Sequence, residues 1–229
     1  MRVFLSLLAL AVIALGIAMT LTDIPFGKPK ADIATHYVEN GREDTGAVNI
    51  ITSVVLGYRG FDTLGEVAVL FVAAMGLGAV LATGTRTPKA NGWEPASLVL
   101  YTGCRFLFPL IVLFGAYIFI HGHLTPGGGF QGGAIIASAF LLTYLGCRGR
   151  RVHEAWSSAV ESLGGLTFVV LGLAGLTAAG HYFLSAFLPA GTLGQLFSGG
   201  IIPLIYIAIG LKVGSELAGV IDRLVEESQ

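Results

Sequence analysis

The stretch His121-Gly-His-Leu-Thr-Pro-Gly-Gly-Gly-Phe-Gln-Gly-Gly133 decides the fold of this chain. It separates two strongly apolar runs, Leu98–Ile120 and Gly132–Cys147. The proline and the three consecutive glycines predict that one helix ends at the histidines and that another restarts at Gln131. Unpaired peptide groups are not tolerated against lipid, so such a break must pack on protein or line a wet cavity. Ion-transporting membrane proteins place breaks of this kind beside their pathways.

The composition identifies an integral membrane protein. Of the 229 residues, 54% are hydrophobic and only 12% are charged, against about 25% charged residues in soluble domains. The mean hydropathy is +0.79, and a net charge of −1 leaves no basic face for nucleic acid. Two cysteines without a CxxC pair do not provide a metal cluster or a zinc site. We expect no cofactor and no resident metal in this chain, so any redox chemistry belongs to other chains.

We predict an all-α polytopic membrane protein with about six transmembrane helices, each needing ~20 apolar residues. The predicted spans are Val3–Leu21, Leu64–Thr83, Leu98–Ile120, Gln131–Cys147, Ala159–Phe187 and Gly199–Ile221. The first is longer than the apolar core of a signal peptide, which favours a retained span over a cleaved leader. A further apolar segment, Val48–Gly57, is too short to cross and is predicted to be a surface or re-entrant helix.

The distribution of basic residues predicts the orientation, because lysine and arginine concentrate in cytoplasmic loops. They gather on one side at Arg2, Arg86, Lys89, Arg148, Arg150, Arg151 and Arg223. We therefore predict a multi-pass protein of the cell membrane with both termini in the cytoplasm, and Thr22–Ala47 as an outer loop. The proline- and glycine-containing segment Thr85–Pro95 divides the chain into a two-span module, residues 1–90, and a four-span module, residues 96–229.

Charged residues within spans cost roughly 2.5–3.5 kcal/mol each on insertion scales, so each is a candidate for ion handling. Glu66 lies just inside the second span, and Asp62 precedes it by one turn. A structural alternative stays open, because Thr63 and Glu66 have the spacing of a helix-capping box, and Asp62 also suits a cap.

Three more charged residues lie in the later spans. Lys212 and Glu216 share one helix face at i, i+4 spacing, where they either neutralise each other or alternate in a proton relay. Glu161 is either interfacial or a buried acid of the pathway. Arg105, near the cytoplasmic face, is better interpreted as an interfacial anchor.

His121 and His123 are candidates for proton entry or exit, because imidazole titrates near physiological pH. No third ligand lies near them in sequence, so a metal site is not predicted. Gly127, Gly129 and Gly132 form a Gly-x-Gly-x-x-Gly by chance, since no strand precedes them. Gly210, Gly214 and Ala218 form a small-residue seam that predicts the close approach of another helix.

These residues carry a family resemblance. The segment from His121 to Gly133 resembles the signature of the MrpB/MnhB family, a four-span subunit of multisubunit Na⁺/H⁺ antiporters, and residues from about 96 to 221 have the length and span count of that subunit. The segment Asn49-Ile-Ile-Thr-Ser-Val-Val-Leu-Gly-Tyr-Arg-Gly-Phe-Asp-Thr-Leu-Gly-Glu66 resembles the extreme C-terminal part of the large MrpA subunit. The same module occurs as a small separate subunit in membrane-bound hydrogenases.

The resemblance implies a fused membrane subunit that contributes to a Na⁺ and H⁺ pathway and to assembly. In the family, the glutamate of the Gly-Phe-Asp-Thr-Leu-Gly-Glu motif belongs to the ion path, which places that role on Glu66. The implied partners are other antiporter-complex membrane subunits and the lipid bilayer of a prokaryotic cell. Two alternatives stay open: a membrane-arm subunit of a hydrogenase or related oxidoreductase, and a purely structural subunit. In none of these is the chain an enzyme by itself.

Overall fold

The structure, a computed structural model, describes residues 2–23, 31–82, 96–147, 154–179 and 187–227. Within these ranges every regular element is a helix. The helices are α1 (Arg2–Asp23), α2 (Ala31–Thr45), α3 (Ile50–Thr52), a π-helix (Ser53–Tyr58), α4 (Gly60–Ala82), α5 (Leu98–Ile120), α6 (Gly129–Gly146), α7 (Glu154–Ala179) and α8 (Ile202–Glu227). Among the described residues, α4 to α8 are long and apolar enough to cross a membrane, and α1 contains a shorter apolar segment, Leu7–Met19. The prediction of an all-α polytopic membrane protein is confirmed.

The chain forms two compact units, residues 1–36 and residues 37–229. In the first unit, α1 exposes its large apolar side chains along its length. The second unit contains the bundle of α4 to α8, and the following description concerns this unit. The predicted module boundary at Thr85–Pro95 lies outside the described residues and stays a prediction, as does the end of the fifth span beyond Ala179.

Helix α8 is the centre of the bundle, because it packs against α4, α5, α6 and α7. Its closest neighbour is α6, and glycines make that approach possible. A Cβ atom on Gly133 would lie 2.8 Å from Val213 Cβ and 2.9 Å from the Gly210 carbonyl oxygen. The predicted seam is therefore approached by helices of the same chain: Gly214 faces Gly133 and Ile136 of α6, and Gly210 faces the Phe119 ring of α5.

The glycine-rich break joins α5 to α6 as a tight turn, which we call the histidine end of the bundle. Helix α6 begins at Gly129, two residues earlier than predicted, after Gly128 adopts a φ of 153° that favours glycine. Helix α8 begins at Ile202 rather than at Gly199, because Gly199 and Gly200 also adopt positive φ values, 81° and 57°. These glycines end the irregular backbone that precedes each helix.

The carbonyls of Gly122, His123 and Thr125 in the break are satisfied by protein, as the sequence predicts for a break against lipid. The Asn49 side chain donates to the carbonyls of Gly122 (2.9 Å) and Thr125 (3.1 Å), and Thr52 Oγ1 donates to Gly122 (2.8 Å). The Asn49 main-chain N–H donates to the His123 carbonyl at 3.0 Å. The segment Val48–Gly57, predicted to be too short to cross, thus packs against the histidine end as α3 and the π-helix.

The prediction of a loop over Thr22–Ala47 is wrong for its second half, where α2 covers Ala31–Thr45. This helix is mostly polar, and its composition favoured a loop although Ile33, Ala34, Tyr37 and Val38 recur at the spacing of one helix face. Its last residue is Thr45, whose hydroxyl forms hydrogen bonds with the Gly41 carbonyl (2.6 Å) and the Ser53 hydroxyl (2.8 Å).

The opposite end of the bundle carries a disulfide between Cys104 and Cys147, and we call it the cysteine end. The bridge joins the start of α5 to the residue that follows α6. Gly146 permits this contact, since a Cβ atom there would lie 2.8 Å from Cys104 Sγ. The α5–α6 hairpin is therefore fixed at both ends, by the turn at one and by the disulfide at the other.

We expect Gly133→Ala to destabilise the bundle by about 1–3 kcal/mol, because the added methyl overlaps Val213 and the α8 backbone. Gly103→Ala is the matched control, since a Cβ atom there has nothing within 4 Å. Thermal unfolding of both variants in the same detergent is the measurement. Equal melting temperatures for the two variants would contradict the proposed packing of α6 on α8.

Candidate functional site

Two of the predicted residues form a buried ion pair in the middle of α8. Lys212 Nζ lies 2.7 Å from Glu216 Oε2, and the two side chains are only 8% and 2% exposed. The i, i+4 spacing places both groups on one helix face, so the predicted pairing is confirmed. At 1.5 Å per residue, Lys212 lies about 15 Å along the axis from the start of α8, near the centre of a membrane-spanning helix.

Helix α7 makes room for the lysine with a pair of glycines. A Cβ atom on Gly164 would lie 2.7 Å from the Ala208 carbonyl oxygen and 3.1 Å from Lys212 Cβ. A Cβ atom on Gly165 would lie 3.4 Å from Lys212 Cε. A side chain at Gly164 would push α7 away from α8, whereas a methyl group at Gly165 would only touch the aliphatic stem of Lys212 at ordinary van der Waals distance.

An aromatic ring of α4 covers the ammonium group on its remaining side. The Lys212 Nζ atom lies 5.3 Å from the centroid of the Phe71 ring, a geometry suited to a cation–π interaction. Such an interaction contributes about 0.5–2 kcal/mol, more when the cation is removed from water. The ammonium therefore has two stabilising neighbours, the Glu216 carboxylate and the Phe71 ring.

The second oxygen of Glu216 has no partner within the described part of the chain. Glu216 Oε1 is buried and makes no hydrogen bond with any described residue. Glu161, half-buried on α7, is close enough to repel the Glu216 carboxylate electrostatically. An unpaired oxygen of a buried carboxylate carries a large desolvation cost, and a proton or a cation bound there would relieve it. The structure thus pairs Lys212 with Glu216, while Glu161 lies on the neighbouring helix α7 and forms no hydrogen bond or ion pair with either of them.

Glu66 and Asp62 lie on α4 and are separate from this site. Glu66 is exposed and has no hydrogen bond or ion pair with the described residues, whereas Asp62 pairs with Arg59. The capping-box interpretation is wrong, because α4 begins three residues before Thr63, and the Thr63 hydroxyl donates instead to the Val55 carbonyl at 2.9 Å. Glu66 is therefore a charged group on the outward face of a spanning helix.

The two histidines lie at the histidine end, away from the ion pair. His121 is partly exposed, with its ring stacked on Tyr117 and Nδ1 3.1 Å from the Tyr117 carbonyl. His123 is fully buried, and neither ring nitrogen makes a hydrogen bond with any described residue. Burial lowers the pKa of His123 below its ordinary value, although the neighbouring main chain of Gln195 and Leu196 opposes this shift.

Several functional neighbours escaped prediction from the sequence. Tyr206 of α8 shares a 2.7 Å hydrogen bond with Thr52, which connects the two predicted modules beside the turn. The contact of Phe71 with Lys212 could not be predicted, since Phe71 is one of many apolar residues in its span. The adjacent glycines Gly164 and Gly165 were a usable signal, because paired glycines in a membrane helix mark a close approach. In the part of the chain that the structure describes, no three His, Cys, Asp or Glu side chains converge as a metal site requires.

A bundle of spanning helices around a buried ion pair defines a polytopic membrane protein with a charged centre. Comparison with known families then makes the assignment specific. Residues 99–219 match the family described as a domain related to the MnhB subunit of Na⁺/H⁺ antiporter, and residues 2–91 match the MbhE family, a subunit of MBH. The chain belongs to the MnhB family, and the resemblance stated from the sequence is confirmed.

Among its relatives is an uncharacterized protein, MJ1307, of Methanocaldococcus jannaschii. It is 33% identical over 209 residues, which cover 78% of this chain and 74% of that protein. The B-type subunit of a Na⁺/H⁺ antiporter from Alkalihalophilus pseudofirmus is 36% identical over 93 residues. That match covers 39% of this chain and 65% of the antiporter protein.

Two solved structures contain chains with a similar fold. A chain of the membrane-bound sulfane sulfur reductase, an archaeal respiratory membrane complex, is 48% identical, with a TM-score of 0.75 and 98% of each chain covered. A chain of the Mrp complex from Dietzia sp. DQ12-45-1b is 27% identical, with a TM-score of 0.69. The latter match covers 97% of this chain but 26% of the Dietzia chain.

The burial of His123 predicts a pH-dependent stability. Because its pKa is lower in the folded chain, the unfolded chain binds more protons as the pH falls through 6.5, the ordinary value. Acidification through that region therefore favours unfolding. We expect the melting temperature of the chain in detergent to fall between about pH 8 and pH 5, and the His123→Gln variant to lose part of that fall.

His121→Gln is the control, because this partly exposed residue lies two positions away and retains contact with solvent. If the melting temperature depends on pH in the same way in the parent chain and in His123→Gln, His123 is not the group responsible for the loss of stability.

Proposed function

We propose that the chain is a membrane subunit of a multisubunit Mrp-type cation and proton translocating complex. The observation that carries this proposal is the buried Lys212–Glu216 pair, in which one carboxylate oxygen of Glu216 has no partner among the described residues. Charged groups in the centre of a spanning helix are costly, and a subunit with only a structural role has no need of them. The family membership indicates the ions, Na⁺ and H⁺.

In the proposed mechanism, a proton and a cation compete for the same carboxylate. A proton that binds at Oε1 of Glu216 forms a neutral carboxylic acid and leaves Lys212 without its counter-ion. The ammonium then has Phe71 as its nearest stabilising neighbour, 5.3 Å away. When Glu216 is ionised, its free oxygen and the Glu161 carboxylate supply the hard oxygen ligands that Na⁺ prefers. Because one carboxylate serves both ions, binding of one displaces the other.

The remaining candidates take secondary positions in this proposal. Glu66 faces outward from α4, where a neighbouring subunit continues the path, and Asp62 lies one turn away in an ion pair with Arg59. His121 and His123 serve proton entry or exit at the histidine end. In this proposal both termini lie in the cytoplasm of a prokaryotic cell.

Partner subunits are part of the proposal, because α4 is exposed over almost its whole length. A carboxylate on such a face needs a polar neighbour within the membrane. We propose that this neighbour comes from other membrane subunits of the complex, and that the chain has no catalytic activity by itself.

Alternatively, the complex that contains this chain is a respiratory oxidoreductase with an Mrp-like membrane arm. The full-length match to a chain of the sulfane sulfur reductase complex, at 48% identity, favours this type of complex. The match to the Dietzia Mrp complex covers about a quarter of the Dietzia chain, and its sequence identity is lower. The subunits that copurify with the chain distinguish the two complexes. Metal-bearing oxidoreductase subunits would indicate the respiratory complex, and antiporter subunits alone would indicate the antiporter.

We expect Glu216→Gln and the double variant Lys212→Gln/Glu216→Gln to reduce sodium–proton exchange by the reconstituted complex at least about tenfold. The double variant is informative because it leaves no uncompensated buried charge, so assembly should persist. Glu43→Gln is the matched control, since this acid is exposed on α2. Normal exchange by a normally assembled double variant would show that the pair is only structural.

A further inference from the structure

We infer that a groove on α8, between the α5–α6 hairpin and α7, binds an acyl chain of an anionic phospholipid whose headgroup is held by Arg105 at the cysteine end. This site goes beyond the proposed function, because neither the ion pair nor the family membership requires it. Three features of the groove support the inference: its shape, the chemistry of its lining, and the charge at one of its ends.

The groove arises because α8 is not covered on every side. Helices α5 and α6 pack on one side of it, and α7 packs on another. Between them lies a cavity of about 250 Å³. Its lining includes one residue from each neighbouring helix and two small residues of α8: Val112, Phe140, Val160, Gly214 and Ala218. Leu211 also lines it and is 43% exposed, although α8 is the central helix, so the groove is open on one side.

The lining is apolar, so the groove does not hold water. Its two hydroxyl groups are already used within the chain. Ser157 Oγ donates to the Ser215 carbonyl at 3.2 Å, and Ser215 Oγ donates to the Leu211 carbonyl at 2.7 Å. A buried water molecule needs about two to four polar partners, and apolar cavities stay dry. Because the walls belong to membrane-spanning helices, the occupant comes either from the hydrocarbon of the bilayer or from another protein chain.

The size of the groove favours an acyl chain over a helix. An α-helix with its side chains is about 10 Å wide and rises about 5.4 Å per turn, so one turn occupies on the order of 400 Å³. The groove is smaller than that single turn. A flexible acyl chain, in contrast, follows an irregular apolar groove and restores the dispersion contacts that an empty one forfeits.

The cysteine end of the groove carries a cation suited to a lipid headgroup. Arg105 precedes Val112 by seven residues, so the two lie on the same side of α5. Its neighbour Cys104 is bonded to Cys147, which places Arg105 level with the end of α6. The guanidinium group is exposed and donates to the neutral Tyr101 hydroxyl at 3.1 Å, and no described acid forms an ion pair with it. An arginine at this depth attracts anionic lipid.

Trp156 marks the same end of the groove from the side of α7. It lines the groove in the first turn of α7 and is 72% exposed. Tryptophan is enriched at the membrane–water interface. Asp222, one turn beyond Ala218 on α8, is already engaged in another interaction of the chain. The opposite end of the groove, at Gly210, has no charged lining residue. One interfacial, cationic end and one apolar end match a phospholipid whose headgroup lies at the cysteine end.

The test is photo-crosslinking of lipid to the complex in vesicles of equal parts phosphatidylglycerol and phosphatidylcholine. The probe is either of these lipids with a diazirine in one acyl chain, added in trace amount. After irradiation, peptide masses report the lipid attached at Val112 and Val160 in the groove. Val170 is the internal reference, because it is 53% exposed on α7 and does not line the groove.

We expect the phosphatidylglycerol probe to label the groove at least about threefold more than the phosphatidylcholine probe, with equal labelling at Val170. Arg105→Gln should bring the ratio in the groove to about one, whereas Arg105→Lys should retain most of it because the charge persists. Val160→Trp fills the groove and should abolish labelling there. Val170→Trp is its matched control and should leave labelling of the groove unchanged.

Equal labelling of the groove by both probes in the parent complex would show contact with bulk lipid only and would overturn the inference. Absence of groove labelling by either probe, with normal labelling at Val170, would show that a partner subunit covers the groove and would overturn it as well. An unchanged ratio in Arg105→Gln would contradict the headgroup contact. The first two outcomes are read in the parent complex, so they hold even where a variant fails to assemble.

Discussion

The structure depends on the placement of a lysine and a glutamate in the middle of a membrane-spanning helix. Each charge alone would be strongly unfavourable there, and the pair is tolerable because the ammonium meets a carboxylate at 2.7 Å and an aromatic ring at 5.3 Å. Hydrophobic residues of similar volume would serve stability at least as well. The cost of the pair is therefore a reason to seek its role in function.

That placement requires α8 to be surrounded by other helices, and glycines make this possible. Gly133 of α6 lets one neighbour approach the α8 backbone, and Gly164 and Gly165 of α7 accept the stem of Lys212. At the histidine end, Asn49 and Thr52 satisfy the carbonyls of the turn that joins α5 to α6. The close packing around the pair and the hydrogen-bonded turn are thus parts of one arrangement that keeps α8 central.

The sequence predicted those features that depend on local pattern. The spans α5 and α6, the break between them and the i, i+4 pairing of Lys212 with Glu216 follow from apolar length, from glycine and proline, and from helix geometry. Helix α2 was missed because its many charged and polar residues favoured a loop, although Ile33, Ala34, Tyr37 and Val38 have helical spacing. The start of α4 was misplaced because the capping pattern at Thr63 competes with a preceding π-helix, which no local signal revealed. In both cases a hydrogen bond joins neighbouring elements, from Thr45 to Ser53 and from Thr63 to Val55, which residue spacing alone does not reveal.

Features that depend on how the helices pack could not be predicted from the sequence. Gly164 meets Lys212 only because α7 packs on α8 in a particular register, and Cys104 reaches Cys147 across 43 residues of sequence. We propose that Glu216 changes its protonation state when the complex exchanges its ions. Infrared difference spectroscopy of the complex, on addition of Na⁺, tests this most directly. We predict a change in a carboxylic C=O band that disappears in Glu216→Gln and persists in Glu43→Gln. An unchanged difference spectrum in Glu216→Gln would contradict the claim.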